Sequence, residues 1–397
     1  MKVLAAVFLL AVFYIGSATV PEVAGIVGDI DYQAYKKAAV ISAVRQTDGA
    51  YHDMLGFEGF SLRNKGFYID LNGLMARTMG RRYMNEIIKL DNGHLTDLIE
   101  KEDIGLAAAQ VTKLSRKQGE NGKAFLFLLA PMQIPKYEGI LPPGYSDYSN
   151  RNLDEMAAAL GENGVEYLDL REEMRKDNMA YADAFFVTDH HWTPETGFWA
   201  YKKIIESLAQ AGTIGPVDPM YTDIGSFDVE VLEGFFLGSS GKRTGIYYAG
   251  VDDFAIISPR FETDILVEIP ERAISRQGGF SEVTYDERLI KLDYFPENPY
   301  DAYGFGRNGF KHCENPGAPV DLKVLAIGDS FSRIPFAFLP LVFTECGQMD
   351  MRAYKGDFQA YYEEYDPDVL VMLANPSQLT EVTIAYDYFK DLVSPGL

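Results

Sequence analysis

The chain has 397 residues, 47% of them hydrophobic and 24% charged, which is enough apolar material for one large core or two moderate ones and argues against disorder. Its 36 basic and 58 acidic residues give a net charge of −22, spread along the sequence rather than gathered in a tail. That balance speaks against a nucleic-acid partner, because clustered Lys and Arg are what release counterions from polyphosphate, and against adhesion to anionic lipid through a basic face.

The first residues carry Lys2, an unbroken apolar run from Val3 to Ile15, and the small residues Gly16, Ser17 and Ala18. This is the three-part layout of a secretory signal peptide. Extended through Val20, the run also serves as an uncleaved membrane anchor, although a spanning helix needs about 20 apolar residues. Either reading places the remainder outside the cytoplasm; a buried N-terminal helix or strand is the plain alternative.

Residues 31–47 read as a helix and 84–88 as a strand leading into the turn Asp91-Asn92-Gly93. From 97 to 116 the apolar positions fit a helical face, and the run 124–130, ended by Pro131, has the continuous apolar character of a parallel strand covered on both sides. A helix over 151–161, a strand over 165–170 and a helix opened by Pro194 and ended by Gly212 follow. Residues 221–310 alternate short aromatic and β-branched runs with turn residues, as a β-rich insertion would. Strand 324–327, helix 335–346 and strand 369–373 resume the α/β pattern. The expected fold is therefore α/β, with a doubly wound parallel sheet whose ligands gather at the carboxyl ends of the strands. The expected organisation is a signal peptide or anchor over 1–20, an α/β domain over 21–215, the insertion over 216–315, and the rest of the α/β domain over 316–397. Cys313 and Cys346 are too few for a disulfide framework and have no metal-ligand spacing; one bridge or two free thiols are both open.

Two stretches carry polar chemistry at the predicted strand ends. Lys323–Arg333, KVLAIGDSFSR, is a buried strand that runs out at Gly328 and delivers Asp329 and Ser330 to a turn before a helix. A serine there is exposed at the sheet edge, beside N–H groups suited to an anion, although an N-cap is the plain reading of such a serine. A hydroxyl needs a base to take its proton and a third group to fix that base, and Asp189-His190-His191-Trp192 supplies both types. Side-chain alternation in an extended backbone sends residues 189 and 191 to one side and 190 to the other. His191 is then the general base, Asp189 its orienting carboxylate, and His190 a neighbour of open role. The same residues, with His94 or His312, could instead assemble a metal site, but adjacent histidines project apart, whereas helical metal pairs sit at spacing four. Neither a metal nor a cofactor is expected.

The chain resembles the bacterial DHHW family, named for the four residues standing here at 189–192, and more distantly the alginate O-acetyltransferases with an SGNH-hydrolase-like domain. In those transferases Asp-x-His-Trp-Thr precedes Gly-x-Ser-[Phe/Tyr]-Ser, as at 189–193 and 328–332 here, an order reversed from ordinary SGNH enzymes. DNGHL (91–95), GSSGKRTG (238–245) and VDDF (251–254) also look like family features. The resemblance implies Ser330, His191 and Asp189 as a triad, in agreement with the residues. It also implies O-acetylation of a polysaccharide acceptor, with acetyl supplied through a membrane-bound O-acyltransferase partner. An acetylesterase with the same triad and a non-catalytic polysaccharide-binding protein are the alternatives. No GxND block is present. The Ser330 N–H is the first choice of oxyanion donor, Gly241 and Asn375 are weaker ones, and a turn role beside Pro376 is the plain reading of Asn375. Lys242 is a candidate for contact with a saccharide or carbonyl, or simply a solvated turn residue; His190 and Trp192 stand beside the presumptive site.

Overall fold

The computed structural model describes residues 65–379. The leader, the helix expected over 31–47 and residues 380–397 lie outside that range. Among the described residues, no helix is long and apolar enough to cross a membrane.

The fold is built on an eight-stranded sheet. A three-stranded antiparallel sheet of Tyr83–Met84 (β1), Ile87–Lys89 (β2) and Leu95–Thr96 (β3) stands apart from it. The main sheet begins with Ala124–Leu129 (β4) and Tyr167–Asp169 (β5). Phe227–Phe236 (β6) and Asp252–Pro259 (β7) form a separate antiparallel ribbon. Ile265–Ile269 (β8), Ile274–Gly278 (β9), Phe310–Glu314 (β10), Val320–Gly328 (β11), Phe343–Met349 (β12) and Val369–Ala374 (β13) complete the main sheet. Its order is β5-β4-β13-β11-β12-β10-β8-β9. The first five strands pair in parallel and the last three join antiparallel. Within 216–315, then, β6 and β7 stand apart as a ribbon while β8, β9 and β10 widen the main sheet.

Alternation along the central strands divides the core in two, as a sheet covered on both faces requires. Leu126, Leu128, Val324, Ala326, Val369 and Val371 enter one cluster, with the helix Pro194–Gln210 and the short helix Arg333–Ala337. Phe125, Phe127, Leu129, Leu325, Leu370 and Met372 enter the other, against the helices Gly105–Glu120, Ser149–Glu162 and Phe358–Tyr365.

Three expected elements differ. Residues 84–88 are not one strand, because Asn85 and Glu86 turn at φ of 51° and 64° to make a β1–β2 hairpin. That turn is held from outside: Asn85 Nδ2 donates to the Arg243 carbonyl and the Arg243 guanidinium to that of Asn85. The helix expected over 97–116 starts only at Gly105, since the preceding backbone bonds sideways, Ile99 N to Asp147 and Glu102 N to Asn152. The helix expected over 335–346 stops at Ala337, and Phe343–Met349 is β12, paired with β11 and β10. Pro340 cannot donate to a continuing helical ladder. Cys313 and Cys346 are buried register partners on β10 and β12, and both are free thiols.

Candidate active site

β11 ends at Gly328, and the chain turns at once. A Cβ on Gly328 would lie 2.5 Å from that of Ser332, so only glycine lets the turn fold this tightly. Asp329 caps the single 3-10 turn Ser330–Ser332, accepting from Phe331 N at 2.8 Å through one carboxylate oxygen. Its other oxygen takes both the backbone N–H and the Nδ2 of Asn375, each at 2.8 Å, from the end of neighbouring β13. Burial pushes the Asp329 pKa up, with the N–H donors of Asn375 and Phe331 opposing. The turn is thereby pinned to two strands, and it presents Ser330 at the sheet edge. The Ser330 N–H has no acceptor among the described residues.

Across from it, residues 187–191 form a bend between Phe185 and Trp192, which face each other as an isolated β-bridge. The Thr193 hydroxyl then caps the helix that Pro194 opens. Ser330 Oγ donates to His191 Nε2 at 2.7 Å, and His191 Nδ1 donates to Asp189 Oδ1 at 2.5 Å. Asp189 Oδ2 accepts the Ser239 N–H at 2.5 Å, at the start of the helix Ser239–Thr244. This assignment puts the imidazole proton on Nδ1 and leaves Nε2 free to accept. Although burial alone would raise the Asp189 pKa, the two histidines and the N–H donors hold it well below the carboxylate range. Burial, reinforced by His190, lowers the His191 pKa despite the attraction of Asp189. A neutral imidazole beside a charged carboxylate is the state a general base needs.

The three segments of open role in the sequence all grip this bend. From VDDF, Asp252 accepts from Val187 N, Thr188 N and Thr188 Oγ1 at 2.6–2.8 Å. From GSSGKRTG, the Gly238 and Gly241 N–H groups donate to Thr188, and Ser239 N to Asp189. From DNGHL, the Leu95 N–H donates to the Val187 carbonyl, while His94 Nε2 bonds to the Ala182 carbonyl. Gln133, beyond β4, donates to the carbonyls of Phe186 and Asp189.

The expectation that alternation separates the two histidines is overturned. Because the backbone bends instead of extending, the His190 and His191 rings lie 3.9 Å apart, and His190 Nδ1 is 3.7 Å from Asp189 Oδ1 and 3.1 Å from Ser239 Oγ. Asp189, His190 and His191 are accordingly the only three-residue group of metal-ligating type among the described residues. Both ring nitrogens of His191 are already bonded, one to Asp189 and one to Ser330, so a cation there would have to break the serine–histidine–aspartate run. His312 stands apart, near Glu314 and Glu345 on β10 and β12.

The remaining candidates are engaged in structure. Gly241 spends its N–H on Thr188, and a Cβ there would meet Leu237 at 2.4 Å. Lys242 donates to the Glu297 carbonyl at 2.5 Å, with its pKa lowered by burial. Asn375 locks Asp329 and closes its own turn through Ser377, the role a residue beside Pro376 suggests. Trp192 is fully buried, edge-on to Phe331 at 5.2 Å, and so packs beneath the site.

Tyr300 had no signal in the sequence, because it lies in an irregular stretch far from either motif. Its ring stacks on His191 at 4.2 Å and 21°, and the Arg333 guanidinium, paired with Asp301, stands 6.0 Å over its centroid. Arg333 was visible as the residue closing GDSFSR, but nothing in the motif named its partner.

Residues 94–221 match the family model of the SGNH hydrolase-like domain of the acetyltransferase AlgX. No curated protein matches the chain. The structure of Bacillus cereus PatB1 superposes with a TM-score of 0.62 at 19% identity, covering 74% of this chain and 96% of that one. PatB1 carrying a sulfonyl adduct gives 0.61 at 18% identity, covering 74% and 97%. A DHHW family protein from Eubacterium siraeum gives 0.52 at 16%, covering 74% and 91%. At these identities the structural likenesses establish the fold.

Proposed function

Taking residues 94–221 as an SGNH hydrolase-like acetyltransferase domain, we propose that the chain is an extracytoplasmic serine O-acyltransferase acting on hydroxyl groups of an exported or cell-surface polysaccharide. Ser330 Oγ attacks the carbonyl carbon of an acetyl ester while His191 Nε2 takes its proton, and Asp189 stabilises the imidazolium that forms. The Ser330 N–H donates to the tetrahedral oxyanion. The alcohol of the donor leaves with the proton from Nε2, and acetyl-Ser330 remains. A sugar hydroxyl then gives its proton to Nε2 and takes the acetyl group, and the serine recovers its proton from Nε2.

The observation that carries this reading is the hydrogen-bonded run from Ser330 through His191 and Asp189 to the Ser239 N–H, at the carboxyl edge of the parallel strands. The location outside the cytoplasm rests on the sequence of residues 1–20. Acetyl-CoA is absent there, so a membrane-bound O-acyltransferase partner is the proposed source of acetyl groups.

The test is acetate release from an aryl acetate by the soluble chain and by Ser330→Ala and His191→Ala. Ser330→Ala is expected to lose turnover and to resist labelling by a sulfonyl fluoride that modifies the parent. Parental turnover in Ser330→Ala would remove the nucleophile. Activity lost to a chelator and restored by zinc would move the chemistry to the Asp189–His190–His191 group. With an oligosaccharide present, acetylated sugar marks a transferase, whereas acetate alone marks an acetylesterase with the same triad.

A further inference from the structure

Beside the turn that follows β11 is a small cavity of about 40 Å³, walled by Gly304, Asn308, Lys311, Asp329, Arg333 and Gln348 among others. Its volume suits roughly three waters or one small ion. Lys311 sits mid-strand on β10, opposite Gln348 of β12, and only 6% of its surface is exposed. It makes no hydrogen bond or ion pair with any described residue. Its ammonium reaches Gly304, where a Cβ would lie 3.0 Å from Nζ; the positive φ of 63° at Gly304 suits glycine for the same position.

The other charges around the cavity have partners. Asp329 accepts from Phe331 and Asn375, Asp350 from the Arg352 guanidinium at 2.6 and 2.8 Å, and Arg333 pairs with Asp301. Lys311 is the one cation of the wall without a counter-charge, and burial lowers its pKa accordingly. An unpaired ammonium held in a low-dielectric wall is costly unless neutralised or matched by an anion. We infer that this cavity is a binding site for one small monovalent anion of halide size, held by Lys311. Asn308 Oδ1, buried and without a partner among the described residues, lines the same cavity and can accept a hydrogen bond from a water that accompanies the anion.

The test reads the ion directly. Crystals of the protein grown in bromide and measured at the bromine edge are expected to show an anomalous peak beside Lys311 Nζ. Bromide at constant ionic strength is expected to raise the thermal midpoint of the parent. Lys311→Met keeps the length of the side chain without the charge, so it is expected to fold, to lose the peak and to lose the bromide response. A parent cavity filled by water alone at saturating bromide would overturn the proposal. So would a peak and a midpoint shift that survive in Lys311→Met. Neither readout depends on the acetyl-transfer reaction.

Discussion

Gly238→Ala isolates how the orienting carboxylate is held. Gly238 has φ −72° and ψ 178°, which alanine adopts freely, so any effect must come from space and not from backbone strain. The space is absent: a Cβ would lie 2.2 Å from Asp189 Cβ, 2.6 Å from Asp189 Oδ2 and 2.6 Å from the Thr188 carbonyl. None of these can retreat, because Thr188 is clamped by Asp252 and Asp189 by His191 and Gln133. The helix Ser239–Thr244 must therefore withdraw by about 1 Å to restore ordinary contact distances. A withdrawal of that size takes the 2.5 Å bond from Ser239 N to Asp189 past the useful hydrogen-bond range. Losing one bond to a buried charge costs roughly 1.5–3 kcal/mol, and overpacking adds about 1–3 kcal/mol to the loss of stability. If the first figure falls on the transition state, kcat/KM drops about 10- to 150-fold. Aryl acetate kinetics and a urea unfolding curve measure the two parts separately. An alanine variant with parental kcat/KM and parental stability would show that the contact between Gly238 and Asp189 positions nothing.

Further outcomes follow from the same geometry. The proposed mechanism needs neutral His191, so activity is expected to fall as pH drops through the folded pKa, which burial and His190 place below the roughly 6.5 of a free imidazole. His190→Gln removes one of the lowering influences and is expected to move the acid limb of a kcat/KM–pH profile upward; a limb that stays or moves down refutes it. For stability the sign is the same: the unfolded chain binds the His191 proton first, so stability declines as pH falls below about 6.5. Asn375→Ala leaves one buried oxygen of Asp329 with fewer donors and opens the turn through Ser377. It is expected to lower stability by roughly 1–3 kcal/mol and to slow turnover, and a denaturation midpoint equal to that of the parent would refute the clamp.

The central strands were legible because burial on both faces leaves long apolar runs bounded by breakers, as at 124–130 and 369–373. The helix after Pro194 was legible because its cap residues are local. Phe343–Met349 was not, since whether such a segment continues a helix or joins the sheet is decided by pairing with β11 and β10. The residue types of the triad and the Asp189–His191 spacing were written in two short motifs. Their meeting was not, because Ser330 and His191 stand 139 positions apart and touch only where the β11 turn faces the bend before Pro194. The sequence by itself determined which groups could exchange a proton and which strands would carry them. Only the tertiary structure decided that His190 stays beside His191, that Gly238 brings a helix N–H onto Asp189, and that Tyr300 stacks on the imidazole. The last two are contacts between distant segments, and the first follows from a bend that distant segments hold in place, so packing that no local pattern of residues encodes fixes all three.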